Sequence, residues 1–284
     1  MRPAVAVLGL AAWLAAAPAA AFEWMDNAIG YRFGTKYREP ANAKDITKNI
    51  LSFTHVDGYR YGGNFLAIDW LVSNADDPKK YPNGDGALSG AQEIYVVYRH
   101  ELSLGKISGK EVRFGVVKDV GIKFGIDLNT KNDAFQPRVR KPMAGVNFSF
   151  DVPGFLNVGL LVQDEHNHNG IVAKDVNFKK TGRLEADWAI PFNAGPVPAK
   201  FQGFLNYIGS KGRDGFGAPT APETLLEASV MFDLGAPVAG LKKGALFVGV
   251  GYQYWRNKFG SDHKTDPSGG SFAKLPQLQA ELHF

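Results

Sequence analysis

The sequence predicts an all-β fold: a twelve-stranded antiparallel transmembrane β-barrel of the outer-membrane type. Three observations lead to this fold class. Apolar side chains recur at every second position along most of the chain, which is the period of a strand rather than of a helix. Short turn-forming links alternate with long polar ones, as in barrels with turns at one end and loops at the other. The chain ends on an aromatic residue, Phe284, in phase with the last strand.

Composition excludes several other classes. The chain has 284 residues, of which 45% are hydrophobic and 12% aromatic, and it contains no cysteine. A disordered chain would have fewer aromatic residues, and a mean hydropathy of -0.17 does not fit a helical membrane protein. The absence of cysteine excludes disulfides, thiolate metal sites and thiol nucleophiles. The net charge of +4 is spread along the chain, so no basic stripe for nucleic acid is present.

The first segment, Met1–Ala21, predicts a signal peptide that is cleaved on export. It has one early cation, an apolar stretch from Ala4 to Ala17, and small residues at Ala19 and Ala21, where a signal peptidase cleaves. A retained transmembrane helix is the alternative, but the apolar stretch is short for a span. The transmembrane barrel is therefore predicted over residues 22–284.

The strands follow from the alternation. In the first strand, Ile29 and Tyr31 alternate with Gly30 and Arg32, so one face is apolar and the other is small or cationic. The weakest of the twelve is Asn49–Val56. The predicted strands are Asn27–Arg38, Asn49–Val56, Phe65–Val72, Glu93–Leu102, Val120–Asn129, Ala144–Asp151, Leu156–Glu165, Arg183–Phe192, Phe201–Tyr207, Leu226–Leu234, Leu246–Trp255 and Gln277–Phe284.

The links between these strands alternate in length. The short ones carry turn residues, as at Asp57-Gly58 and Pro153-Gly154, whereas Asn74–Gln92 and Asn167–Lys180 are long and polar. Gly105–Asp119 is unusually long for a turn. A soluble β-sandwich would also alternate. Against it, the apolar strand ends are rich in Tyr and Trp, as interfacial girdles require, and the opposite faces carry charges of both signs.

The N-terminal third carries a more specific pattern. Its segments FEWMDNAIGYRFGTKYREP, DITKNILSFTHVDGYRYGGNF and LAIDW resemble the Tsx-like nucleoside-specific channel-forming proteins of Gram-negative outer membranes. The resemblance implies a narrow twelve-stranded barrel that passes nucleosides by diffusion, with ligands between aromatic rings and ionisable side chains of the lumen. The matching positions are Trp24, Arg38-Glu39-Pro40, Lys48, His55, Asp57-Gly58, Tyr61-Gly62, Phe65 and Asp69.

Strand parity predicts which side chains face the lumen. In the first strand it places Lys36 and Arg38 inward and Tyr37 outward. Over all strands it places more acidic than basic side chains in the lumen, which favours neutral or cationic solutes. In a closed lumen the same charges would only fill space. The residues expected to set the field are Arg32, Asp69, Arg99, Glu101, Lys123, Asp127 and Glu227, and those expected to stack a planar solute are Phe65, Tyr95, Phe204, Phe247 and Trp255.

The sequence therefore predicts a monomeric outer-membrane channel for passive diffusion of small polar solutes, with nucleosides as the preferred class and no cofactor or metal. Its expected partners are outer-membrane lipid and lipopolysaccharide, small neutral solutes, and the barrel-assembly machinery through the strand ending at Phe284. Arg138, Arg140 and Lys141 fall on predicted outer loops, where lipopolysaccharide phosphates lie. The alternatives are a non-specific or plugged surface barrel and, with little support, a lipid hydrolase, because HNHNG lacks the serine that such enzymes need.

Overall fold

The computed structural model describes residues 22–81, 89–236 and 240–284, and within them the chain is almost entirely β-strand. The predicted signal peptide lies outside the described residues. None of the helices in the described part has the length and apolar character needed to span a membrane. The elements are β1 (Trp24–Glu39), β2 (Asn42–Tyr59), β3 (Gly62–Ser73), β4 (Gln92–Ser103), α1 (Leu104–Ser108), β5 (Val117–Lys131), β6 (Arg138–Phe150), β7 (Phe155–Gln163), β8 (His166–Asn169), β9 (Lys174–Asn177), β10 (Thr181–Ala194), β11 (Val197–Ile208), β12 (Glu223–Asp233), β13 (Leu246–Arg256), a 3-10 helix (Lys258–Gly260) and β14 (Phe272–His283).

Twelve of these strands close into an antiparallel barrel, which confirms the predicted fold class. Sequential neighbours pair around the ring, β1 pairs with β14, and the pairing of β5 with β6 completes the circle. The short β8–β9 hairpin extends from β6. We call the end that holds the start of β1 and the end of β14 the inner end, and the opposite end the outer end. Closure leaves no strand edge unpaired, as lipid requires.

The second hairpin differs from its prediction. β2 runs over 18 residues, far beyond the predicted Asn49–Val56. The predicted turn at Asp57-Gly58 lies inside β2, and the chain turns at Arg60 and Tyr61 instead. Polar residues such as Lys48 broke the apparent alternation, but in a barrel these positions face a polar interior.

A bulge in β1 inverts the predicted orientation of its last residues. Gly34 pairs with Lys48 and Tyr37 pairs with Ile46, so three steps along β1 match only two along β2. One extra residue exchanges the two faces beyond that point. Tyr37 is 3% exposed and faces inward, contrary to prediction, and Lys36 is exposed.

The two faces of the barrel have opposite character. On the outside, Ile29 and Tyr31 are 46% and 44% exposed, whereas the inward Arg99 and Asp127 retain 7% and 2%. Apolar groups outside and charged groups inside are the reverse of a water-soluble protein and are the arrangement of a transmembrane barrel. The candidate site is therefore the lumen.

Candidate functional site

Two arginines form ion pairs that connect opposite parts of the barrel wall in the middle of the lumen. Arg99 on β4 donates to Asp127 on β5 over 2.7 Å and to Glu185 on β10 over 2.8 Å. Arg183 on β10 donates to the same two carboxylates over 2.9 and 2.8 Å. We call these four residues the arginine cluster. Because β4 and β10 are separated by three strands of the ring, the cluster crosses the lumen rather than following the wall.

Pairing explains how these charges remain inside. Each of the four residues is at most 7% exposed, and a buried charge is tolerated only when it is paired and hydrogen-bonded. Each arginine contacts two carboxylates in the fork geometry that guanidinium favours. The arginine cluster therefore has no net charge and offers little attraction to an anion.

A second ion pair network lies on the opposite wall. Arg32 on β1 is paired with Asp69 on β3, and its Nη1 donates to Glu227 on β12 over 3.0 Å. Gln253 donates to the other oxygen of Glu227 over 3.0 Å. Asp69 keeps 24% of its side chain exposed, so this network borders accessible space in the lumen.

Two inward phenylalanines are strand neighbours of residues in the two charge networks. Phe65 is the neighbour of Arg99 across the β3–β4 pair, and Phe204 is the neighbour of Glu227 across the β11–β12 pair. Phe65 is 37% exposed, and its strand parity turns it inward. Its ring therefore offers an apolar face to the open part of the lumen.

The other predicted residues also face inward, with varied surroundings. The Tyr95 hydroxyl donates to Asp127 over 3.4 Å, Lys123 donates to Asp187 over 3.0 Å, and Glu101 accepts from Ser149 over 3.4 Å. All twelve predicted site residues thus lie on the inward face, and their contact with a solute stays a prediction.

The rings of Phe247 and Trp255 each have a lysine over one face. The Lys200 ammonium lies 4.2 Å from the centre of the Phe247 ring, and the Lys258 ammonium lies 4.2 Å from that of Trp255. The Trp255 indole also donates to Glu223 over 2.7 Å. Each lysine covers one face of its ring, whereas no cation lies over Phe65 in the part of the chain that the structure describes, so Phe65 is better placed to meet a planar solute.

Lysines converge on one carboxylate at the outer end. The ammoniums of Lys48, Lys258 and Lys131 lie 2.6, 3.2 and 3.4 Å from Glu39 Oε1. Asp77 accepts from Lys131 over 2.9 Å. We call these five residues the outer lysine cluster. Lys131 ends β5 and Lys258 follows β13, on opposite walls of the ring, so Glu39 lies across the outer mouth of the lumen.

Apolar side chains fill the space beside the outer lysine cluster. Tyr37, Ile46, Ile50, Ala273 and Leu275 pack together inside the barrel, and each is at most 3% exposed. We call this group the apolar plug. The β1 bulge adds Tyr37 to this group by turning it inward, and the other members come from β2 and β14. The outer half of the lumen is therefore densely packed near β1 and β2.

Sequence reasoning missed several inward charges. Lys141 was predicted on an outer loop, but it lies inside β6 and is 5% exposed. Extending the parity of the fifth strand beyond Asn129 would have found Lys131. The missed lysines are Lys48, Lys131, Lys141, Lys200, Lys211 and Lys258, and in the described residues they offset much of the predicted acidic excess.

No family model matches this chain, and no curated protein matches it significantly. Among solved structures it is similar to the KdgM porin, with 11% identity over 90% of this chain and 99% of that one and a TM-score of 0.43. It is also similar to the NanC porin, with 11% identity, coverage of 89% and 98%, and a TM-score of 0.46. OpdK from Pseudomonas aeruginosa shows 10% identity, coverage of 93% and 99%, and a TM-score of 0.29. These TM-scores are below 0.5, so the fold rests on this chain's own strand pairing.

Proposed function

We propose that this barrel is an outer-membrane channel through which small polar solutes, nucleosides above all, diffuse passively. The exposed, inward Phe65 ring beside a charge-neutral arginine cluster carries the proposal. An apolar ring face in a polar channel stacks a planar base, while nearby paired charges supply hydrogen bonds to hydroxyl and amide groups. The resemblance of the N-terminal third to Tsx-like channels agrees with this solute class.

Neutral solutes fit the electrostatics better than nucleotides. Arg32, Arg99 and Arg183 are each paired with two carboxylates, so their positive charges are compensated and attract a phosphate only weakly. The network around Arg32 has two carboxylates, Asp69 and Glu227, for one arginine, and its net negative charge would repel a phosphate. A nucleoside has the ring and the hydroxyl groups without the charge.

A plugged surface barrel is the second candidate, and the outer lysine cluster and apolar plug favour it. If these two groups seal the lumen, no solute passes and the function lies in the outer loops. In that case the buried charges hold the barrel shut instead of lining a path.

Single-channel recording separates the two candidates. The purified protein is inserted into a planar bilayer, and conductance is measured with increasing adenosine and, in parallel, adenosine monophosphate. We expect a conductance that adenosine blocks at micromolar to millimolar concentration and that the nucleotide blocks less. Conductance indifferent to adenosine would indicate a general pore, and absence of conductance would support the plugged barrel.

A further inference from the structure

A groove lies on the outside of the barrel near its outer end. It has a volume of about 640 Å³ and is lined by Trp70, Ile94, Thr130, Arg138 and His168, among others. Trp70 is three residues before the end of β3, Ile94 is two after the start of β4, and Arg138 is the first residue of β6. The groove therefore runs from the apolar band towards the outer rim.

The lower part of the groove is apolar. Trp70 and Ile94 are 40% and 39% exposed, and Leu128 on the neighbouring strand is 37% exposed. The Trp70 indole donates to Gln92 over 3.2 Å, with its ring in the apolar band and its nitrogen towards the polar rim. This is the orientation of an interfacial tryptophan.

The upper part of the groove is cationic. The Arg138 side chain is 63% exposed, and it contacts His168 and, more loosely, Asp175 over 3.5 Å. Arg140, two residues deeper along β6, is exposed on the same outward face and pairs with Leu128, so it borders the apolar part of the groove. Its side chain makes no hydrogen bond or ion pair with any residue that the structure describes.

An unpaired arginine on the outward face of a barrel strand needs an external partner. In hydrocarbon its charge is unfavourable, and near the interface the anions within its reach are lipid phosphates. Guanidinium binds phosphate in bidentate geometry. The guanidinium groups of Arg138 and Arg140 can therefore each donate hydrogen bonds to one phosphate of a doubly phosphorylated lipid headgroup. The acyl chains of such a lipid would lie against the apolar part of the groove.

We propose that this groove binds the phosphorylated glycolipid of the outer leaflet, lipid A. Arg138 and Arg140 contact its phosphates, and Trp70, Ile94 and Leu128 contact its acyl chains. The proposal rests on the outer-membrane location in the proposed function, and it is independent of what passes through the lumen.

Native mass spectrometry of the detergent-purified protein tests the site. The protein is titrated with diphosphoryl lipid A, monophosphoryl lipid A or phosphatidylethanolamine. We expect diphosphoryl lipid A to bind most tightly and phosphatidylethanolamine least. The double variant Arg138→Gln/Arg140→Gln should bind diphosphoryl lipid A about tenfold more weakly, and Arg140→Lys should keep part of the affinity because it keeps the charge.

The matched control removes two exposed lysines at the inner end. Lys242→Gln/Lys243→Gln makes the same change in net charge, far from the groove, and should leave lipid A binding unchanged. Equal losses in both double variants, or equal affinity of the unaltered protein for phosphatidylethanolamine and lipid A, would overturn the proposal. Conductance in a bilayer without lipid A is recorded in parallel, so a failure of the channel function is seen separately.

Discussion

The outer and inner halves of the lumen differ in how they accommodate buried charged side chains. From the middle of the lumen inwards, arginines and carboxylates pair across the barrel and leave Phe65 and Asp69 accessible. In the outer half, the apolar plug packs against the outer lysine cluster, and Ile46 and Leu275 are completely buried. One half is lined by polar groups beside open space, and the other is packed like a protein core.

Part of this difference between the two halves comes from the bulge in β1, where one extra residue lies between Gly34 and Tyr37. Before the bulge, β1 presents Arg32 and Gly34 to the lumen, as strand parity predicts. After it, Tyr37 and Glu39 face inward, and these two residues anchor the apolar plug and the outer lysine cluster. Local backbone geometry therefore adds an aromatic ring and a carboxylate to an outer half that β2 and β14 already line with apolar side chains.

The largest effect is expected for Glu39→Gln. The change leaves Lys48, Lys131 and Lys258 without their shared carboxylate in a buried site, which should lower the free energy of unfolding by roughly 3–5 kcal/mol. Urea unfolding in detergent micelles measures this free energy. The control, Glu111→Gln, alters an exposed pair with Arg113 and should leave the free energy of unfolding almost unchanged. Equal costs would show that Glu39 does not hold the outer half together.

Tyr37→Ala tests whether the apolar plug limits passage. Removing the inward ring widens the outer half, so single-channel conductance should rise roughly twofold or more. Tyr31→Ala removes an outward, exposed ring from the same strand and should leave conductance unchanged. If the two variants conduct alike, the narrowest point lies elsewhere.

Phe65→Ala tests the inner half. Stacking on an aromatic ring contributes about 1–3 kcal/mol per base, so the adenosine concentration that blocks half of the conductance should rise roughly tenfold. Phe53→Ala removes an outward ring of similar exposure from β2 and serves as the control. A shift of the same size in both variants would falsify the stacking role.

The smallest effect concerns the outer loop after β13. Burial opposes ionisation of Asp266, but hydrogen bonds from Ser268 and Ser271 hold the pKa of its carboxyl below the usual range. Because the folded-state pKa is lowered, this stabilisation is present above about pH 4 and is lost as the pH falls further. We expect the protection factors of this loop, corrected for the intrinsic pH dependence of amide exchange, to fall in acid, and we expect no such fall in Asp266→Asn.

The fold was largely predictable because the barrel repeats one physical rule. Lipid outside and polar contents inside force a period of two, and twelve segments showed it. The same parity placed Arg99, Asp127 and Glu227 inward before any contact was known. It failed where the rule is interrupted, at the β1 bulge, and where strands run beyond their apolar stretch, as β2 does past Lys48.

The sequence by itself determined the barrel, the number of its strands and the inward face of most of them, because alternation is a local property that each segment carries alone. Tertiary structure decided which charges meet. The partners of Arg99 and Arg32 lie on strands distant in sequence, and the three lysines around Glu39 come from three separate parts of the chain. Ring closure and one bulge bring these groups together, and neither leaves a periodic signal in the sequence.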